Sequence, residues 1–254
     1  ITWQYETLYD RGLLEKGLHP VNYCTNEKNP VTTHDLLEGE NAEFQDYTLI
    51  KFETEDGFAP MATLRPETVR GVTNAYVDPE ATYVEATVDG ETWIVSEDAT
   101  EKLRLQEREV TVEETFSGER LVGRTVTNPV TDESVLVLPA TFVDPDNATG
   151  VVMSVPGHSP DDWVALAEIK ADADRLAEYG IDPDRVRAIE PKAILDIDEY
   201  GEFPAQDAVE AYGITSQDDP ALEEATQEVY NKEFHSGRLK DIYGEYGGRI
   251  VEEV

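Results

Sequence analysis

The 254-residue chain carries 55 Asp and Glu against 20 Lys and Arg, a formal net charge of −35. An ionised carboxylate is almost never fully buried without a partner, so any fold open to this chain must keep most of these side chains in water. The acids are spread over the whole length and not gathered in one tail. That distribution predicts an acidic shell rather than an interaction tail. Such a shell repels itself in dilute buffer. In molar salt the screening length falls to roughly 3 Å and the repulsion is quenched. The pattern therefore predicts a protein adapted to high salt, as in the cytoplasm of a haloarchaeon.

Beneath that shell there is material for a core. Hydrophobic residues make up 39% of the chain, including 12 Tyr, 7 Phe and 3 Trp. Wholesale disorder is thereby excluded. The lone cysteine, Cys24, rules out an internal disulfide. No apolar run approaches the roughly 18 residues of a membrane helix. The opening Ile1-Thr2-Trp3-Gln4-Tyr5 resembles mid-helix and no signal peptide, which suggests an internal piece of a longer protein.

The pattern divides the chain into three parts. Residues 1–45 read as an amphipathic helix ending near Gly17, then an extended stretch with short strands. Residues 46–205 hold many short β-like runs: Tyr47–Phe52, Met61–Leu64, Tyr83–Val88, Trp93–Val95, Val110–Phe116, Gly123–Val126, Ser134–Pro139 and Gly150–Val155. Asp89-Gly90 is a hairpin signal. Helices are expected at Glu67–Asn74 behind Pro66, at Ser96–Gln106 and at Asp161–Tyr179. Residues 206–254 read as two helices, with Ala221, Leu222, Ala225, Val229 and Phe234 as the apolar set of the second, and a Gly-rich, β-like end. Short strands with few helices predict an α+β fold built on a β-barrel with peripheral helices.

Two segments are more specific. One is Ala62-Thr63-Leu64-Arg65-Pro66-Glu67-Thr68-Val69-Arg70-Gly71-Val72-Thr73; the other is Thr149-Gly150-Val151-Val152-Met153-Ser154-Val155-Pro156-Gly157-His158-Ser159-Pro160-Asp161-Asp162-Trp163. The first resembles the threonine-rich motif, and the second the glycine-valine-proline-histidine motif with its trailing aspartate, of the editing insertion (connective peptide 1) of archaeal-type leucyl-tRNA synthetases. The flanks, Trp3 to Gly39 and Tyr200 to Gly237, resemble the segments entering and leaving that insertion. Two departures stand out. Ala148 occupies a place where the family often has Gly, and Ser159 one where bacterial members have Asp. The HIGH and KMSKS signatures of the synthetic site are absent, so ATP and Mg²⁺ are assigned to the remainder of the synthetase, and no metal or cofactor is expected for editing.

The resemblance implies a hydrolase for the ester joining a wrong amino acid (isoleucine, valine, norvaline or similar) to the 3′ end of tRNA-Leu. Asp162 matches the residue that holds the substrate's ammonium, a role suited to a charge-assisted hydrogen bond. Its ordinary alternative is an acid at a helix N-terminus. Thr68 matches the residue that excludes leucine; its β-branch is stiff and places a methyl at a fixed point. A pocket that reads one methylene discriminates only about 10–200-fold, which is why a second, hydrolytic sieve is needed, as synthetases themselves illustrate. Thr63 and Arg65 would shape the pocket and help hold substrate or water, Arg65 having the alternative of pairing with a nearby acid. Met153 and Val155 would line its apolar part or belong to plain strand core. His158 would be a general base or a structural, hydrogen-bonded histidine. No Ser-His-Asp or Cys-His set is evident, so orientation of a water is the expected chemistry.

Other signals are weaker. Asp144-Pro145-Asp146 starts like a calcium loop but lacks the later ligands. Asn147-Ala148-Thr149 fits a glycosylation sequon without a secretion signal. His19, His34, His158, His235 and Cys24 have no zinc spacing. No basic stripe marks a nucleic-acid track, consistent with a domain that takes only the 3′ end of its tRNA. The competing readings are a binding module that has lost catalysis, and the related valyl or isoleucyl editing domains, whose threonine-rich wording lacks Arg65-Pro66-Glu67.

Overall fold

The computed structural model describes residues 2–14, 16–17, 21, 23–24, 28–31 and 46–254. They fall into two compact units, Ile1–Asp46 and Tyr47–Val254. The first unit holds helix α1 (Thr2–Asp10) and an antiparallel pair, β1 (Tyr23–Cys24) with β2 (Asn29–Pro30). α1 is shorter than the pattern predicts because Gly12, not Gly17, ends it. Gly12 adopts φ 65°. The N–H groups of Gly12 and Leu13 return to the carbonyls of Tyr9 and Leu8, which is a Schellman cap. The family-like stretch His34–Gly39 lies outside the described residues.

In the second unit, β3 (Thr48–Glu53), β4 (Phe58–Thr63), β5 (Asn74–Val77), β6 (Thr82–Val88), β7 (Glu91–Ser96), β8 (Val110–Ser117), β9 (Thr125–Thr127), β10 (Ser134–Pro139) and β11 (Val152–Ser154) form one mixed sheet. Its order is β11-β5-β10-β9-β3-β4-β7-β6-β8. Most pairs are antiparallel; β10–β5 and β4–β7 are parallel. Asp89 (φ 51°) and Gly90 (φ 87°) turn the chain between β6 and β7. This is the tight hairpin the sequence announces.

The α+β class holds, but the expected barrel is not closed. β11 lies alongside β4, yet its hydrogen bonds go to β5, so a seam stays open between β11 and β4. The physical reason is local. β11 stops at Ser154, ahead of Pro156, which has no N–H with which to extend a ladder. A second difference lies at Glu67–Asn74. Instead of a helix, Pro66–Gly71 is a 3₁₀ turn, and Asn74–Val77 becomes a fully buried central strand. Val72 and the β-branched and aromatic residues after it favour the sheet over a helical continuation.

Helix α2 (Glu97–Leu105) is N-capped by Ser96, whose side chain accepts the Ala99 N–H. The predicted Asp161–Tyr179 helix is two helices, α3 (Pro160–Ala171) and α4 (Ala173–Glu178), divided at Asp172, which caps the second. α5 (Pro183–Arg187), β12 (Leu195–Asp196), α6 (Pro204–Tyr212), α7 (Leu222–Ser236) and β13 (Arg238–Leu239) follow. β12 and β13 pair antiparallel. α6 and α7, expected as a return segment apart from residues 46–205, belong to the same compact unit: Ala208 and Val209 of α6 and Leu222, Ala225 and Val229 of α7 bury against Val164 of α3. The main core, with Phe52, Met61, Tyr76 and Leu138 fully buried, lies between the sheet and α3. Among the described residues no helix is long and apolar enough to cross a membrane.

Candidate functional site

The open seam leads to a cavity of about 340 Å³, at the small end of ligand sites. Ala62 and Thr63 of β4 form one wall and Val152 and Met153 of β11 the other. Thr63, Arg65, Thr68, Met153, Val155, His158 and Asp162, the seven residues singled out from sequence, all line it. A larger void of about 710 Å³ elsewhere in the sheet, rimmed by Glu53, Arg124 and Arg185, contains none of them.

The threonine-rich segment is shaped by its own side chains. Thr63 Oγ1 accepts the Arg65 N–H at 2.9 Å, which keeps the hydroxyl's own proton available as a donor. Pro66 opens the 3₁₀ turn, and Thr68 Oγ1 donates to the Arg65 carbonyl at 2.7 Å. Thr68 is buried, and that bond fixes its χ1 and therefore the position of its methyl. Gly71 closes the turn against Val155; a Cβ there would stand 2.8 Å from Val155 Cγ1.

The opposite wall is built around the N-terminus of α3. Ser159 accepts the Asp162 N–H at 3.3 Å, and Tyr230 Oη donates to the same Ser159 oxygen at 3.1 Å. Ser159 is thus the cap of α3, a role that favours serine. Asp162 sits half-buried in the first turn, where its Oδ2 accepts the Val155 N–H at 2.8 Å. Burial pushes its carboxyl up to about 7; Asp161 beside it adds to the push, and the bonds to Val155 and Ser159 oppose it. Asp162 is both the acid at a helix N-terminus and a carboxylate on the cavity wall. A bound cation would favour its charged form.

His158 is fully buried, and both ring nitrogens are engaged inside the protein. Nε2 accepts the Ile194 N–H at 2.9 Å, so it carries no proton, and Nδ1–H faces Glu233 Oε1 at 2.6 Å. The partner of each nitrogen sets the tautomer. Neither nitrogen is free to take a proton from a molecule in the cavity. Arg65 does find acids: Nε donates to Glu67 at 2.9 Å and a terminal nitrogen to the fully buried Glu233 Oε2 at 2.6 Å, with the guanidinium 4.7 Å from the Tyr230 ring. Burial alone would lower the Arg65 pKa, but the charges of Glu233 and Glu67 outweigh it and hold the pKa above its ordinary value.

Sequence reading missed Tyr230, Glu233 and the capping role of Ser159. The buried stripe of α7 runs Leu222, Ala225, Thr226, Val229 and Glu233, so a glutamate occupies a helix-periodic core position. That spacing was the available signal. Phe234, assigned to the apolar set, is instead 46% exposed.

A family model described as the editing domain of leucyl-tRNA synthetase matches residues 48–176. The chain belongs to this family. Among relatives, the leucine–tRNA ligase of Methanosarcina barkeri is 50% identical over all of this chain, and that of Pyrococcus abyssi 47%. The chain spans only 26% and 27% of those relatives, about a quarter of their length. The editing domain is therefore of the archaeal type. Among solved structures, one described as GlLeuRS-CP1 superposes with a TM-score of 0.73 at 27% identity, covering 82% of this chain and 91% of that one. The editing domain of the P. knowlesi cytosolic leucyl-tRNA synthetase gives 0.74 at 20% identity, covering 82% and 90%, and supports the fold.

Proposed function

We propose that this editing domain hydrolyses the ester of mischarged tRNA-Leu, with isoleucine, valine, norvaline or a similar aliphatic residue as the amino acid removed. The observation that carries this reading is the meeting of Thr68 and Asp162, distant in sequence, on one small cavity with apolar walls. Asp162 takes the substrate's ammonium through a charge-assisted hydrogen bond. Met153 and Val155 receive the aliphatic side chain. The fixed methyl of Thr68 obstructs the branch of leucine but not the differently branched competitors. Thr63 donates a hydrogen bond that helps place a water beside the ester carbonyl. Water's oxygen bonds to the carbonyl carbon, the bond to the ribose 3′ oxygen breaks, and the proton released by water ends on that oxygen. The products are the free amino acid and tRNA with an intact 3′ end. Positioning supplies most of the acceleration.

The tRNA body, ATP and Mg²⁺ belong, in this reading, to the remainder of a cytoplasmic leucine–tRNA ligase, and the acidic shell to a haloarchaeal source. Editing itself uses no cofactor. The test is deacylation of Ile-tRNA-Leu by the chain in molar KCl. Wild type should release isoleucine, and Asp162→Ala should lose at least about a hundredfold in rate, the scale of a misplaced substrate. Equal rates in the two proteins would end the anchor assignment, and release of no amino acid by wild type would end the hydrolase reading for this chain.

A further inference from the structure

We infer that Glu233 is a positioning residue that holds the leucine-excluding wall in register with the ammonium-anchoring wall. The inference rests on the editing reading above. Glu233 is completely buried, it comes from α7, and its two oxygens go to different motifs. Oε2 accepts from Arg65, inside the turn that carries Thr63 and Thr68; Oε1 accepts from His158, in the turn that leads to Ser159 and Asp162. His158 in turn passes the link to the Ile194 N–H. The motifs also meet through the backbone, where the Thr73 N–H donates to the Ser154 carbonyl at 3.0 Å, and through Tyr230, which stacks on Arg65 and donates to Ser159. Among the described residues the Glu233 carboxylate is the side chain that accepts hydrogen bonds from both turns, and so ties Arg65 to His158.

The tie requires a group that accepts at both ends. An amide of identical shape cannot do this. With its oxygen toward His158, the NH₂ of Gln would confront the Arg65 guanidinium, donor against donor, and displace the turn bearing Thr68. With its NH₂ toward His158, the ring must move its proton to Nε2, which then opposes the Ile194 N–H. Either orientation breaks one link. Removing one partner of such a buried, charge-assisted pair is costly because the other is left unsatisfied. The carboxylate is therefore retained for geometry: the cavity's width is the distance between the two motifs, and width is what separates leucine from its competitors.

The experiment compares Glu233→Gln with wild type in deacylation of Ile-tRNA-Leu and of correctly charged Leu-tRNA-Leu, together with the ring ¹⁵N and Nδ1–H signals of His158 by NMR. The expected result is a fall of roughly tenfold or more in the ratio of the two rates, as befits a wall displaced by a fraction of an ångström to an ångström, and loss of the wild-type Nδ1–H signal or of the Arg65 link. Glu67→Gln, which removes the other charge on Arg65 but keeps an oxygen able to accept from its Nε and leaves the tie intact, should keep the ratio within about twofold. A Glu233→Gln protein that melts earlier but keeps both the ratio and the ring signal would overturn the inference, as would Glu67→Gln changing the ratio equally. Should Glu233→Gln fail to fold, Arg65→Lys and the wild-type ring decide: Lys lacks the fork that reaches both acids, so an unchanged ratio, or a wild-type His158 protonated on Nε2, overturns it. Absence of any wild-type deacylation would instead strike the editing reading, while the ring signal would still report the tie.

Discussion

Two regions of the sheet solve the same problem of burial with opposite means. The limb made of β6, β7, β8 and α2 closes over an apolar cluster of Val84, Ala86, Val88, Trp93, Val95, Ala99 and Leu103, and keeps its charges outside, as in the Lys51–Glu91 and Arg108–Asp89 pairs. The region around β4, β11, α3 and α7 buries Thr68, His158, Ser159 and Glu233 and leaves a cavity. Apolar burial stabilises at about 25 cal/mol per Å² and tolerates small shifts, whereas a buried carboxylate or imidazole is stable only when every partner is in place. The first region thus depends on apolar area alone, whereas the second, which also borders the main core, depends on exact geometry as well.

The sharpest way to break that contrast is Asp162→Asn. It should cut deacylation of Ile-tRNA-Leu by about a hundredfold or more, and it should also stabilise the fold. The sign follows from burial, which raises the folded pKa from 3.8 to about 7. Folding favours the protonated acid, so its contribution is complete below the unfolded pKa and is lost as pH rises through the folded one. The Asn variant should therefore melt higher than wild type at pH 8, by roughly 3–6 °C, and equally at pH 4. The same titration, centred at about 7, predicts that wild-type kcat/KM climbs with pH through an acid limb there. Melting curves that coincide at pH 8, or a flat profile, would contradict it.

Leu103→Ala tests the other side. Truncating this buried side chain of α2 should cost about 2–5 kcal/mol and, at temperatures where the protein remains folded, leave the ratio of Ile-tRNA-Leu to Leu-tRNA-Leu hydrolysis unchanged. Denaturant melts paired with the two rate measurements would show whether the regions are separable. Thr68→Ala should cost less stability, about 1–2 kcal/mol for the lost bond to the Arg65 carbonyl, while raising hydrolysis of Leu-tRNA-Leu by about tenfold or more. A variant that still spares leucine would remove Thr68 as the gate.

The smallest effect is expected at Ala148, which holds φ 52°. This is a left-handed conformation that disfavours any Cβ. The backbone there has a geometry that glycine adopts without strain. Ala148→Gly should raise stability by about 0.5–1 kcal/mol once glycine's larger unfolded-state entropy is deducted, read as a shift in urea midpoint at constant slope.

The contrast also explains what could be read from the amino-acid order. The β6–β7 hairpin was plain because alternation and Asp89-Gly90 agree. The seven cavity residues were found through their motifs, since nothing in local periodicity says that Thr68 and Asp162 meet. The 3₁₀ turn at Pro66–Gly71 reads as a helix in the sequence because Pro66 and Glu67 satisfy helix-start rules equally well. The open seam was illegible: it depends on β11 taking its partner from β5 and not from β4, a tertiary outcome. Glu233 was overlooked because a charged residue in a helix is ordinarily solvated. Here its buried position is justified by two partners 168 and 75 residues away.

The unstitched edge between β4 and β11 has one more implication. Strands that face each other without bonding keep main-chain amides and carbonyls in reserve, and main-chain groups survive any replacement of side chains. A guest that slides between them can be greeted by the polypeptide's own repeating scaffold. Substitutions at positions such as Ala62 and Val152, which line the gap, would leave that main-chain welcome in place.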